Sequence, residues 1–191
     1  MKKTLLLFVL ALTSINFYAQ KFNGYVVTNV NDTIKCNFFV ETNLFNDSMF
    51  YANSVRKKVK ILDEKGEKIS FEPSQLNSFI IKGTKFGDFK FVSFQEDGYN
   101  YFYHEVIKGR ISYYKLYKAD LYSGGPNSGF DVFVYKENKF NKLAAFNQRK
   151  SLGEVISDYP ELHQKWMDSN NFYKVYQREE VVNIYNEHFK N

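Results

Sequence analysis

The sequence predicts an α+β protein: an antiparallel, β-rich body of about 8–10 strands, sandwich or barrel-like, followed by a C-terminal helical hairpin. Three observations lead there. Aromatic residues abound, with 20 Phe, 15 Tyr and one Trp among 191 residues, and they stand in short runs beside β-branched neighbours that suit a pleated, half-buried surface. Such runs recur from Phe22 to Phe146, punctuated by Gly, Asn and Asp. After Phe146 the apolar spacing lengthens toward the helical period.

The chain begins with a different kind of segment. Lys2 and Lys3 precede an apolar run from Thr4 to Leu12, and a more polar stretch leads to the small residue Ala19. Charge, apolar run and small-residue site in that order read as a secretory signal peptide. The run is too short to span a bilayer, which takes about 20 residues. Residues 1–20 are therefore read as a signal peptide and 21–191 as a single domain, with a β-rich body over 21–146 and helices over 147–191.

Phe22 to Phe39 reads as a hairpin, with Asn29-Val30-Asn31-Asp32 at its turn because Asn and Asp tolerate left-handed conformations. Glu41 to Ser54 is polar and Asn-rich, a connection. Val55 to Leu62 alternates, Val55, Lys57, Val59 and Ile61 against Arg56, Lys58, Lys60 and Leu62, as a half-buried strand does. Asp63 to Gly66 turns the chain and Lys68 to Phe71 returns. Pro73 interrupts, lacking the N–H that a ladder needs. Phe79–Ile81, Phe89–Phe94, Tyr99–Ile107 and Arg110–Lys118 follow as strands, Ser123 to Gly129 is a loop, and Asp131–Tyr135 and Lys139–Phe146 form a hairpin around Glu137-Asn138.

Ser151 and Glu154 have the spacing of a capping box, and Leu152, Val155, Ile156, Leu162 and Trp166 recur near the helical period. Pro160 predicts a break and a fresh start, capped by Asp158 or Tyr159. Asp168 to Asn171 is a turn. Phe172 to Phe189 is a second helix with Val175, Val182, Tyr185 and Phe189 on one stripe.

Gly24-Tyr25-Val26-Val27-Thr28-Asn29 with Asn31-Asp32-Thr33-Ile34-Lys35 resembles the hairpin that opens an uncharacterised family of secreted Bacteroidota proteins directly after their signal peptide. Phe71 to Phe79, Lys108 to Tyr114, Asp158 to Leu162 and Val181 to Asn186 resemble that family's other landmarks. The chain departs from the pattern at Cys36-Asn37, where such hairpins usually carry Gly. The resemblance implies export and the fold, and carries no catalytic residue.

Chemistry is sparse along the chain. Loss of Lys2 and Lys3 lowers the formal charge from +5 to +3, a mild excess that argues against nucleic acid as the partner. With one cysteine, Cys36, no intramolecular disulfide forms, and its apolar strand reads as burial of a small hydrophobe. His104, His163 and His188 lack metal-ligand spacing. Neither an HExxH motif nor a G-x-S-x-G elbow occurs. Asp63/Glu64 and Glu179/Glu180 read as surface charges, and Gly124 to Gly129 lacks the Lys-Ser/Thr of a phosphate cradle. Arg56, Lys58 and Lys60 form a cationic row on one strand face. No catalytic residue, cofactor or metal is expected. The residues singled out for ligand or partner contact are Tyr101, Tyr103 and Tyr113, from an aromatic run that otherwise reads as core, and Gly124, Gly125 and Asn127 of the loop.

The expected function is that of an exported, non-catalytic cell-envelope protein, periplasmic or extracellular, without a transmembrane anchor. It binds an envelope protein, polysaccharide or lipid. The alternative is a carrier holding a lipid-like ligand inside a barrel-like sheet, with an enzyme of unrecognised type third. An outer-membrane barrel fits poorly, because such barrels close with a C-terminal strand and this chain ends in a charged helix.

Overall fold

The computed structural model describes residues 21–43, 46–96, 98–118, 127, 129–168 and 173–190. The expected leader at 1–20, the turn at 169–171 and Gly124 and Gly125 lie outside the described residues. The strands are β1 (Lys21–Thr28), β2 (Thr33–Phe39), β3 (Thr42–Asn43), β4 (Asn46–Phe50), β5 (Val59–Leu62), β6 (Lys68–Phe71), β7 (Leu76–Thr84), β8 (Gly87–Glu96), β9 (Tyr99–Ile107), β10 (Ser112–Tyr117), β11 (Phe130–Lys136) and β12 (Lys139–Lys142). The helices are α1 (Gln148–Val155), α2 (Pro160–Met167) and α3 (Arg178–His188). The protein is thus α+β, mostly antiparallel sheet with C-terminal helices.

Ten strands form one sheet in the order β12-β11-β10-β9-β8-β7-β1-β2-β5-β6, and β3 and β4 pair separately. The pairing register sorts side chains onto two faces. Val26 stands opposite Phe79 and Phe79 opposite Phe91. Phe38 joins that face opposite Phe22 and Ile61, and Val132 joins it through Lys115 and His104. We call it the helix-side face, because at β10–β12 its Tyr113, Val132, Val134 and Leu143 pack under α1, α2 and α3.

The sheet curls in opposite senses at its two ends. Over β1, β2, β5, β7 and β8 it wraps its helix-side face around Phe38, Phe79, Phe91 and Phe102, whose rings meet at 4.8–5.5 Å. Phe50, Ala52 and Val55 plug this core from β4 and the following 3-10 turn. The Phe102 N–H of β9 donates to Arg56 O at 2.9 Å, only three residues before β5, so β5 starts within about 10 Å of β9. In a flat sheet those strands would stand about 24 Å apart. At the other end the curl closes on the opposite face. Phe94 of β8 stacks on Phe140 of β12 at 4.4 Å, where a flat sheet would hold the strands about 19 Å apart. Tyr103 and Phe133 fill that second concavity.

Local sequence explains much of this. The β1–β2 turn puts Asn31 at φ 65°, and Glu137 and Asn138 at φ 50° and 62° make the two-residue turn between β11 and β12; positive φ at both central residues is the type I′ geometry that matches strand twist. Gly24 faces Cys36 across the hairpin and is required by contact: a Cβ there would lie 1.9 Å from Ile80 O and 2.6 Å from the Phe38 ring.

Four expectations need correction. The connection expected over Glu41 to Ser54 holds the small β3–β4 hairpin and a 3-10 turn over Ala52–Val55. The strand expected from Val55 begins at Val59, because Val55 caps the plug and Arg56 is tied to β9. The Ser151 capping box does not form: α1 begins at Gln148 after Asn147, and Ser151 Oγ donates back to Asn147 O at 3.1 Å. The expected second helix starts at Arg178, behind a 3-10 turn over Val175–Gln177, and Val175 stays 38% exposed while Val182 and Tyr185 are buried. The restart at Pro160, with Tyr159 before it, occurs where it was expected, so the described C-terminal region holds three helices.

Candidate functional site

The residues singled out from the sequence do not converge. Tyr101 and Tyr103 lie on the face opposite the helices, their ring centroids 6.5 Å apart. Tyr103 is fully buried in the Phe94–Phe133–Phe140 cluster, and Tyr101 is half-buried under the Arg56 guanidinium at 5.1 Å. Tyr113 is also fully buried, but beneath the helices on the other face. Asn127 is a strut: its Oδ1 accepts from Ala52 N–H at 2.6 Å and its Nδ2 donates to Phe50 O at 3.0 Å, fixing the plug of the first core. The cationic row also dissolves. Arg56 and Lys58 precede β5, Arg56 against Tyr101 and Lys58 at 3.9 Å from Glu72, and only Lys60 stays on the strand.

A polar network that no sequence spacing announces joins the helices to the sheet. Lys136 of β11 donates to Asp158 Oδ1 and to Val155 O, both at 2.7 Å. Tyr185 of α3 donates to Asp158 Oδ2 at 2.8 Å, and Arg110 approaches the same oxygen at 3.4 Å. Burial works to raise the Asp158 carboxyl, but the hydrogen bonds from Lys136 and Tyr185 outweigh it and hold it below the usual carboxylate range. Burial likewise works to lower Lys136, and its bond to Asp158 outweighs that and raises it. These groups stabilise each other's charged forms, so the network locks the α1–α2 junction in place. Its members are 22 and 27 residues apart in the chain, which is why periodicity could not group them. Lys136 and Asp158 border a cleft of about 480 Å³ between β12 and α1, which Lys139, Asn141, Ser151 and Glu154 also line.

Two further clamps fasten the helical layer. Trp166 Nε1–H donates to Arg149 O at 2.7 Å, and the Arg149 guanidinium lies 4.8 Å over the indole and donates to Trp166 O and Tyr173 O. Asn186 pairs with the backbone of Ile111 in both directions at 2.8 Å, N–H to Oδ1 and Nδ2 to O. Gly109 is what lets that amide approach, since a Cβ there would meet it at 2.4 Å.

The strongest departures in ionisation occur in the interior. Burial, aided by Lys115, pushes the His104 imidazole down to about 3; its ring stacks on Phe89 at 4.4 Å and its Nδ1 lies 2.9 Å from Tyr117 Oη. Burial raises the Cys36 thiol to about 11 and the Tyr113 phenol to about 12. Among the described residues, Tyr113 Oη is buried without a hydrogen-bond partner, and no group of three His, Cys, Asp or Glu side chains is placed to hold a metal ion. No described helix is long and apolar enough to cross a membrane. No family model, curated protein or solved structure matches the chain.

Proposed function

We propose that this chain is an exported cell-envelope protein, periplasmic or extracellular, that acts by binding a partner or surface polymer rather than by catalysis. The observation that carries this reading is the direction of its ionisation shifts. Catalytic acids and bases are tuned toward the working pH, whereas burial moves His104, Cys36 and Tyr113 away from it, toward their neutral forms. The ordered charge, apolar run and small residue within positions 2–19 support export. The carrier alternative gains nothing from the interior, where Phe and Tyr rings touch one another and a lipid-like guest would have to displace them. Recognition is accordingly assigned to the surface.

The test is native mass spectrometry of protein released from its own cell envelope by mild extraction. The expected result is a chain trimmed near Gln20 and held in a larger assembly or on a polymer. A defined small apolar molecule bound stoichiometrically would overturn the reading in favour of the carrier. Turnover in a hydrolase screen, abolished by one point substitution, would overturn its non-catalytic part.

A further inference from the structure

The outer face of the N-terminal half is set apart by its charge. The strands β1, β2, β5, β6 and β7 contain no Asp or Glu. Lys35, Lys60, Lys68 and Lys82 lie on these strands, and the pairing register puts all four on the face turned away from the first core. All four are exposed. Leu62 stands opposite both Asn37 and Lys68, so one row across the sheet runs from Lys68 through Leu62 and Asn37 to Asn23. The next row runs from Lys35 through Tyr25 and Ile80 to Lys90. Carboxylates border this face: Glu105 takes Lys90 at 2.6 Å, Asp63 accepts from the N–H groups of its own turn, and Glu64 lies beside it; Lys35, Lys60, Lys68 and Lys82 outnumber them.

Two further features narrow the class of ligand. Lys68 Nζ lies 5.2 Å over the Phe39 ring and Lys82 Nζ 5.6 Å over the Tyr25 ring, so each half-buried aromatic is paired with a cation. Between them a shallow cleft of about 290 Å³ is lined by the amides of Asn23 and Asn37 beside Lys35, and also by Asp63 and Glu64, so the four exposed lysines around it, rather than the cleft itself, supply the positive charge. Amides match sugar hydroxyls, and lysines match carboxylate or phosphate groups, with the rings of Phe39 and Tyr25 holding Lys68 and Lys82 over the face. An anionic bilayer would instead call for apolar side chains that protrude from the face itself; here the rings on the face are half-buried, and the exposed Val30 and Phe86 stand in the turns β1–β2 and β7–β8. We propose that this face binds an anionic polysaccharide, a sugar chain bearing carboxylate or phosphate groups. The proposal rests on the binding reading above and names its surface and ligand class.

The test uses the full mature chain on immobilised polygalacturonate, with dextran as the neutral polymer and phosphatidylglycerol-containing vesicles as the membrane. Polygalacturonate should be bound and dextran should not, with affinity falling as salt rises from about 50 to about 200 mM. The quadruple variant Lys35→Ser, Lys60→Ser, Lys68→Ser, Lys82→Ser should lose about tenfold or more in affinity. A control carrying Lys150→Ser, Lys165→Ser and Lys174→Ser on the helical side should stay within about twofold, and far-ultraviolet circular dichroism should match for both. Tyr25→Leu should weaken binding while leaving the salt slope unchanged. Equal binding by the quadruple variant, or tighter binding to vesicles than to the polymer, overturns the assignment. If the polymer fails while the protein is still recovered in an envelope assembly, only this inference falls. If the chain is recovered untrimmed from the cytoplasm, the export reading falls, and the polymer assay still decides the surface.

Discussion

In β2 and β7, buried residues alternate with exposed or half-buried ones, whereas five of the six residues of β10 are buried and the centre of β11 is buried on both faces. The two halves of one sheet therefore sit in different solvents. The N-terminal half has one dry face and one wet, charged face, as antiparallel sheets commonly do. In the C-terminal half β10 and the centre of β11 have no wet face, because helices cover one face and the ring cluster of Tyr103, Phe133 and Phe140 closes the other, and only the edge strand β12 stays exposed. The lesson is that burial on both sides spends a sheet's recognition surface, and the half that keeps a wet face is the half left to meet a ligand. The halves are still mechanically one body, because β8 and β9 contribute Phe91 and Phe102 to the first core and Val92 and Tyr103 to the ring cluster.

Each half carries its own probe, which lets the comparison be tested. Trp166, the single tryptophan, lies at the centre of the helical layer, and the single cysteine, Cys36, lies in the first core. Trp166→Ala should have the largest effect, about 3–5 kcal/mol, through the cavity it opens. Alkylation of Cys36 should then begin at correspondingly lower denaturant, because loss of the helical layer propagates through the shared strands. Unchanged Cys36 protection would instead separate the halves into independent units. Gly24→Ala approaches from the other side, at a cost of about 3 kcal/mol, since its Cβ overlaps a backbone oxygen. It should lower the denaturation midpoint read by Trp166 fluorescence, on the far side of the sheet.

The smallest effect concerns the seam between the halves, where His104 stacks between Phe89 and Tyr117. A free histidine takes up a proton near pH 6.5, but His104 is held neutral down to about 3. Between those values the unfolded chain binds a proton that the folded protein refuses. Its contribution is therefore intact above about pH 6.5 and is lost as pH falls toward 3. His104→Phe should relieve about 2 kcal/mol of that loss at pH 5, while costing about 1 kcal/mol at neutral pH by depriving Tyr117 Oη of its partner. Urea midpoints measured from pH 7 to pH 4 would show a shallower acid slope in the variant; parallel slopes would mean that His104 is protonated in the fold.

The sequence by itself determined what local chemistry controls. The Phe22–Phe39 hairpin, β9 at Tyr99–Ile107, the turn at Glu137-Asn138 and the restart at Pro160 follow from alternation, turn residues and a missing N–H. Alternation also set Lys60 on the face opposite Val59 and Ile61, but only the pairing register gathered it with Lys35, Lys68 and Lys82. Only the tertiary structure decided the rest. Whether Tyr103 and Tyr113 meet depends on which layer covers each face of a strand that is apolar on both, and period two is silent about that. The Arg56 bond to β9 overrode a clean alternating pattern, because a buried backbone N–H needs a partner more than four residues need to be strand. The opposed curls, and with them the Lys136–Asp158–Tyr185 lock, arise from contacts between distant segments, whose favourable terms appear only when the sheet has closed.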